Sequence, residues 1–315
     1  MSGPILLLGA TGTVGHATAR RLAALGQDVL AAGRRDPEVQ TIAFRKINLA
    51  DTAALTQLMQ AQKPRAVISC LASRTGVARD AWAIDHDAQQ SVLTAALKAD
   101  VQQFILLSAI CVQKPRLAFQ HAKLAFEATL KAAPIRHSIV RPTALFKSLS
   151  GQVARVRAGK PYLMFGDGRL TACKPISDRD LADFLISCLD TPARQNAVLP
   201  IGGPGPALTP RDMAETLFEL TGQPPRTRSL PPGLLRSISG LLGVGGRLIP
   251  ALDRKAELAR IGHYYATESM LVWDESAQRY DADATPETGS DRLVDYYAAL
   301  LSGKARLDRR EHAVF

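Results

Sequence analysis

Short apolar runs alternate with helical patterns through the first 142 residues. Residues 4–8 (PILLL), 28–32 (DVLAA), 41–47, 66–71 (AVISCL), 103–108 (QFILLS) and 136–141 (RHSIVR) read as strands. Between them the spacing predicts helices over 13–25, 51–62, 85–99 and 114–132. Strands that are apolar on both faces, joined by crossovers long enough to hold a helix, build a parallel sheet covered on both sides. The expected fold class is therefore α/β, a doubly wound parallel sheet of the Rossmann kind with a smaller C-terminal lobe.

Beyond Pro142 the pattern changes. Gly and Pro crowd into GKPYLMFGDG, LPIGGPGPALTP, TGQPP and LPPG, with helices predicted near 178–189 and 210–221. The expected division is a nucleotide-binding domain over 1–145, a second lobe over 146–300 partly interleaved with the first sheet, and a charged tail over 301–315. Within 233–249, apolar residues at 234, 235, 238, 241 and 242 make a helical stripe. A helix packed on the core, a lid over an apolar ligand and a membrane-surface contact all fit that stripe.

Composition narrows the function classes. With 46% hydrophobic and 22% charged residues, the chain has the balance of a folded domain and not of a disordered one. The net charge of +10 favours anionic partners. No zinc-finger spacing or RNP-like aromatic cluster points to nucleic acid. The cysteines at 70, 111, 173 and 188 form no CxxC and are too sparse for a disulfide scaffold, so reduced thiols and a cytoplasmic location are expected. No signal-peptide pattern and no apolar stretch of membrane-spanning length is visible.

The chemistry begins directly after the first strand. Gly9, Gly12 and Gly15 form GxxGxxG at a strand-to-helix turn. A tight turn, close approach of backbone to a pyrophosphate and close helix–strand packing each favour a residue without a Cβ. The helix N-terminus adds unpaired N–H groups and positive potential. Thr11, Thr13 and Val14 complete this candidate phosphate cradle. At the end of the second strand an acidic residue would hydrogen-bond the ribose of NAD, but the chain has Arg34 and Arg35. Guanidinium groups bind a 2′-phosphate in bidentate fashion, so NADPH is the expected cofactor.

Short-chain dehydrogenases end the fifth strand in Ser and follow it with Tyr-x-x-x-Lys. Here Ser108 and Lys123 occupy the matching positions, but the Tyr position is Phe119. Phe has no proton to exchange with a carbonyl oxygen, so ketone–alcohol redox by that route is disfavoured. Two outcomes fit: a dinucleotide sensor without catalysis, or reduction of an activated C=C bond, whose conjugation stabilises the anion. Lys123 is a candidate for the nicotinamide ribose and Ser108 for substrate or cofactor. His121 reads as an exposed helix residue.

Longer runs then become recognisable. LLSAICVQKPRLAFQHAKLAFEATL (106–130), SIVRPTALFKSLSGQVARVRAGKPYLMFGDGRLTACKPISDRDLADFL (138–185), LPIGGPGPALTP (199–210) and HYYATESMLV (263–272) closely resemble the NADPH-dependent 3,8-divinyl chlorophyllide 8-vinyl reductases of plants and phototrophic bacteria. These are atypical, NmrA-like short-chain dehydrogenases, and they too carry Phe before the Lys. The resemblance implies reduction of an 8-vinyl group to ethyl in chlorophyll or bacteriochlorophyll synthesis. It implies a flat, apolar, anionic tetrapyrrole substrate, which can bring its own magnesium ion; no dedicated protein metal site is evident in the sequence. Phe146, Tyr162, Met164 and Phe165 are candidates for the macrocycle face, and Lys147, Lys160 or Lys174 for its propionate. Tyr264 and Tyr265 are candidate proton donors, with water as the alternative. Plant members carry a plastid transit peptide, which this N-terminus does not resemble, and peripheral contact with a photosynthetic membrane stays open. A non-catalytic regulator, a scaffold subunit and a reductase of another activated double bond are the competing readings.

Overall fold

The computed structural model describes residues 3–235, 237 and 250–305. Most of the 233–249 stripe and residues 306–315 of the expected tail lie outside the described residues. The chain divides into two units. The first comprises Met1–Arg74, Ala78–Pro142 and Asp178–Pro200, and the second Thr75–Val77, Thr143–Ser177 and Ile201–Phe315.

In the first unit, β1 (Ile5–Leu8) has all four side chains buried, as an unbroken apolar run between two helix layers requires. It pairs in parallel with β2 (Val29–Gly33) on one side and β4 (Ala66–Ser69) on the other. β3 (Ala43–Lys46) extends the sheet beyond β2, and β5 (Gln103–Leu107) and β6 (Arg136–Pro142) extend it beyond β4, all parallel. A seventh strand, β8 (Ala197–Ile201), gives the order β3-β2-β1-β4-β5-β6-β8. The sequence pattern gave no strand at β8. Its residues are mostly half-buried and it carries Pro200, as befits a sheet edge.

Helices α1 (Thr13–Ala24) and α7 (Asp178–Ser187) pack on each other. On one sheet face α2 (Thr52–Gln62), α4 (Gln89–Lys98) and α5 (Ala118–Ala132) enclose a core of Leu6, Leu8, Val67, Phe104 and Leu106 with Leu55, Val92 and Phe126. Burying a Leu or Phe of this kind contributes roughly 1.5–3 kcal/mol. The doubly wound sheet expected from the alternating pattern is thus present.

Two helix starts differ from expectation. The predicted 85–99 helix begins earlier, with α3 (Ala78–Ala81) leading into a π-helical stretch (Trp82–Ala88) and then α4. The predicted 114–132 helix begins at Ala118, because the Gln120 side chain accepts from the N–H groups of Arg116 (2.7 Å) and Leu117 (2.9 Å) and so ends the loop there.

The second unit holds two small sheets. β7 (Tyr162–Phe165) pairs in parallel with β9 (Thr227–Leu230), and β10 (Val272–Asp274) with β11 (Arg279–Asp281) antiparallel. Helices α6 (Val153–Arg157), α8 (Pro210–Thr221) and α10 (Leu293–Leu301) pack together, and α9 (Pro250–Thr267) precedes β10. Tyr297 is fully buried and its hydroxyl donates to the Leu149 carbonyl at 2.8 Å.

Candidate cofactor and catalytic site

The parallel register Leu8↔Ala32 and Leu8↔Ser69 brings the turns after β1, β2 and β4 to one edge of the sheet. Strand order reverses between β1 and β4, and the carboxyl edge at such a reversal is where doubly wound sheets bind ligands. Gly9 has φ +73°, and a Cβ there would lie 2.5 Å from the Cys70 carbonyl oxygen. A Cβ on Gly15 would lie 2.1 Å from the Gly9 carbonyl oxygen. These two glycines set the turn and the helix–strand approach. Gly12 is different: a Cβ there meets nothing closer than 3.4 Å. It is the N-cap of α1 and has no side chain to satisfy the first-turn N–H groups. That leaves an open cradle suited to an anion. Thr11 and Thr13 are half-buried beside it, while Val14 is buried in the helix packing.

Arg34 and Arg35 follow β2 and are exposed at the same edge. Asp36, the next residue in the chain, accepts the Glu38 N–H at 2.8 Å and so caps its own turn. The edge after β2 therefore presents guanidinium groups where a ribose-binding acid would otherwise stand.

Ser108 follows β5, and its N–H donates to the Val140 carbonyl at 2.7 Å. Its hydroxyl donates to Glu127 Oε1 at 2.5 Å, and Glu127 is ion-paired with Arg141 through both carboxylate oxygens. A carboxylate held by a guanidinium is acceptor-only, so the Ser108 hydrogen is committed inward and its oxygen offers only lone pairs. Glu127 stands one helical turn beyond Lys123 on α5, a spacing visible in the sequence, yet neither it nor Arg141 was among the candidate residues.

Lys123 lies on the same helix. Its ammonium pairs with Asp85 Oδ1 at 2.9 Å, and the Lys123 and Asp85 side chains are 11% and 0% exposed. Asp85 was not anticipated either, because a buried acid interrupts an apolar period and leaves no hydrophobic mark. Phe119 is half-buried and His121 is exposed on α5.

The candidates in the second unit are more deeply packed than a substrate-lining role suggests. Phe146, Tyr162 and Met164 are buried, and the Phe146 ring sits 5.6 Å from that of Tyr296. Burial, with Cys173 nearby, holds the Tyr162 hydroxyl well above its ordinary range. The Lys174 ammonium, itself buried, contacts Glu287 at 2.6 Å and the Thr285 carbonyl at 3.2 Å, so a propionate would compete with an internal partner. Phe165 and Lys147 are half-buried and Lys160 is exposed. Tyr264 is buried, edge-on to the half-buried Tyr265 at 5.7 Å. All four cysteines are buried and in no disulfide, and burial raises the thiols of Cys70 and Cys173 to about 12 and that of Cys188 to about 11. Among the described residues no group of three or more His, Cys, Asp or Glu side chains is placed to hold a metal ion. No helix among them is long and apolar enough to cross a membrane.

Residues 9–192 match the model of a family described as NAD(P)H-binding. The divinyl chlorophyllide a 8-vinyl-reductase of Cucumis sativus, described as chloroplastic, is 43% identical over 332 aligned positions, covering 99% of this chain and 79% of that protein. The Arabidopsis thaliana protein of the same description is 41% identical, covering 94% and 76%. Among solved structures, an NADPH-dependent quinone oxidoreductase of Escherichia coli complexed with NADPH matches with TM-score 0.69 at 18% identity, covering 94% of this chain and 99% of that one. A UDP-glucose 4-epimerase of Thermotoga maritima matches with TM-score 0.64 at 17% identity, covering 72% and 85%. At these identities the structural matches speak for the fold.

Proposed function

Because the chain belongs to the NAD(P)H-binding family and, over nearly its whole length, to the divinyl chlorophyllide a 8-vinyl-reductases, we propose that it performs that reduction with NADPH as the hydride donor. It is an oxidoreductase that reduces the 8-vinyl group of divinyl chlorophyllide a, a step of chlorophyll biosynthesis. The observation that carries this is sequence identity of 41–43% extending over 94–99% of the chain.

The choice of NADPH rests on Arg34 and Arg35 at the end of β2, with Asp36 turned to its own loop. The Gly9–Gly15 turn would take the pyrophosphate, with the backbone of Thr11, Gly12, Thr13 and Val14 around it, and Lys123 the nicotinamide ribose. Bound NADPH supplies a hydride equivalent to the vinyl group. The chain's own contribution is to hold the conjugated double bond against the nicotinamide. Negative charge arising on the substrate spreads into the macrocycle, so no oxyanion donor is needed, and Phe119 is compatible with that. Ser108, its hydrogen committed to Glu127, serves as an acceptor. Tyr264 or a water delivers the proton to the inner vinyl carbon. Phe165 and Lys147 are the better-exposed candidates for the macrocycle and propionate, whereas Phe146, Tyr162 and Lys174 are buried. The setting we propose is the cytoplasm, on the sparse cysteines, with the apolar substrate and the net charge of +10 favouring peripheral contact with a pigment-bearing membrane.

Purified protein incubated with divinyl chlorophyllide a and NADPH should yield product heavier by two hydrogens. No such product would overturn the reading. NADH should serve poorly, and Arg34→Ala/Arg35→Ala should erode the preference for NADPH about tenfold or more, the worth of one lost charge-assisted hydrogen bond. Equal use of NADH by the parent protein would remove the NADPH assignment alone.

A further inference from the structure

Asp85 is the least accounted-for group in the first unit. It is buried, and its Oδ1 takes both the Lys123 ammonium at 2.9 Å and the Ser73 N–H at 3.2 Å. Its Oδ2, buried as well, has no hydrogen-bond partner. A buried ion pair that leaves a carboxylate oxygen unsatisfied is a poor source of stability, because desolvation outweighs the attraction unless the remaining lone pairs are met. Among native folds such an orphan is uncommon and marks a site kept for another reason.

The local backbone points the same way. π-helical turns gather at functional sites because the extra residue re-aims side chains. Here the stretch Trp82–Ala88 sends Asp85 inward while Trp82, in the same turn, stays 41% exposed. The partitioning of charge on α5 is also specific. Glu127, four residues beyond Lys123, is occupied by Arg141 and Ser108, so Lys123 takes its carboxylate from Asp85 instead. A lysine has a flexible four-carbon stem, and one fixed carboxylate selects a single placement of its ammonium.

We propose that Asp85 is a positioning residue, which fixes the Lys123 ammonium for the nicotinamide ribose and is retained for that task at some cost in stability. The inference rests on the dinucleotide reading given above. It differs from a structural role in what it predicts for the two halves of the cofactor. Lys123 acts at the nicotinamide half, so loss of Asp85 should leave recognition of the adenosine half alone.

The test measures binding of NADPH and of 2′,5′-ADP by titration calorimetry, without pigment, in four proteins: the parent, Asp85→Asn, Lys123→Met and Asp85→Leu/Lys123→Met. Asp85→Asn should weaken NADPH about tenfold, the worth of a charge-assisted contact, and leave 2′,5′-ADP unchanged. The double variant should bind NADPH no more weakly than Lys123→Met alone, because both changes remove one interaction. It should also melt at or above the parent temperature, as replacing a buried ion pair by apolar groups often does. Unchanged NADPH affinity in Asp85→Asn, or equal loss for both ligands, overturns the proposal. So does an additive double variant. If the parent takes up no NADPH, the cofactor reading falls, and this inference with it.

Discussion

The three glycines of the first turn differ in what a methyl group would meet. At Gly15 the added carbon would fall 2.1 Å from the Gly9 carbonyl oxygen, inside any allowed contact, so backbone must shift. At Gly12 it would rest 3.4 Å from the same oxygen, an ordinary distance. Gly15→Ala should therefore cost folding stability, seen as a melting temperature several degrees lower, in the range of about 1–3 kcal/mol for overpacking. Gly12→Ala should melt like the parent and still lose dinucleotide affinity, because its methyl group enters the phosphate cradle. If Gly12→Ala binds NADPH as the parent does, the cradle is misplaced. The motif was legible from spacing alone; the separate duties of its members were not, since only the approach of Gly9 and Gly15 distinguishes them.

At the scale of elements, the strands were the most readable part. Unbroken runs such as Ile5–Leu8 and Ala66–Ser69 have no other stable placement than between two helix layers. β8 escaped because it is half-buried and carries a proline, and α3 with the first residues of its π-helical continuation escaped because the predicted helix started only at Asp85. Glu127 ties three elements together: it sits on α5, takes the Ser108 hydroxyl from the end of β5, and holds Arg141 of β6. Glu127→Gln keeps the shape and removes the charge, leaving a largely buried guanidinium without its carboxylate. The loss should reach about 3–5 kcal/mol in denaturant titration. A change below about 1 kcal/mol would mean that the network is solvated, contrary to its burial.

For the molecule as a whole, the titrating groups set a stability window. Glu287 is held below its usual 4.5 by the Lys174 hydrogen bond, and Asp274 below 3.8 by the Ser276 hydroxyl. A carboxylate lowered in the folded state contributes above its unfolded value, and the contribution is lost as pH falls through the lowered one. The thiols act at the other end. Burial raises Cys70 and Cys173 from 9.0 to about 12, and Cys188 from 9.0 to about 11. The unfolded chain then ionises first, and each thiol erodes stability by about 1.4 kcal/mol per pH unit above 9 until its folded value is reached. Unfolding free energy should hold a plateau from about pH 5 to 9 and fall on both sides. A curve flat up to pH 11 would show that the thiols are open to solvent.

The first unit is built from separated stretches of chain, with Asp178–Pro200 returning to supply α7 and the edge strand β8. A polypeptide leaves the ribosome from its N-terminus, so the nucleotide-binding sheet cannot close when residue 142 emerges. It waits, with the flank of α1 that Asp183 later engages still bare, until the whole intervening excursion has been synthesised. Birth order thus makes completion of the cofactor half contingent on residues that follow a stretch of its neighbour in sequence, and a nascent chain halted before residue 200 is an unfinished sheet with an open flank.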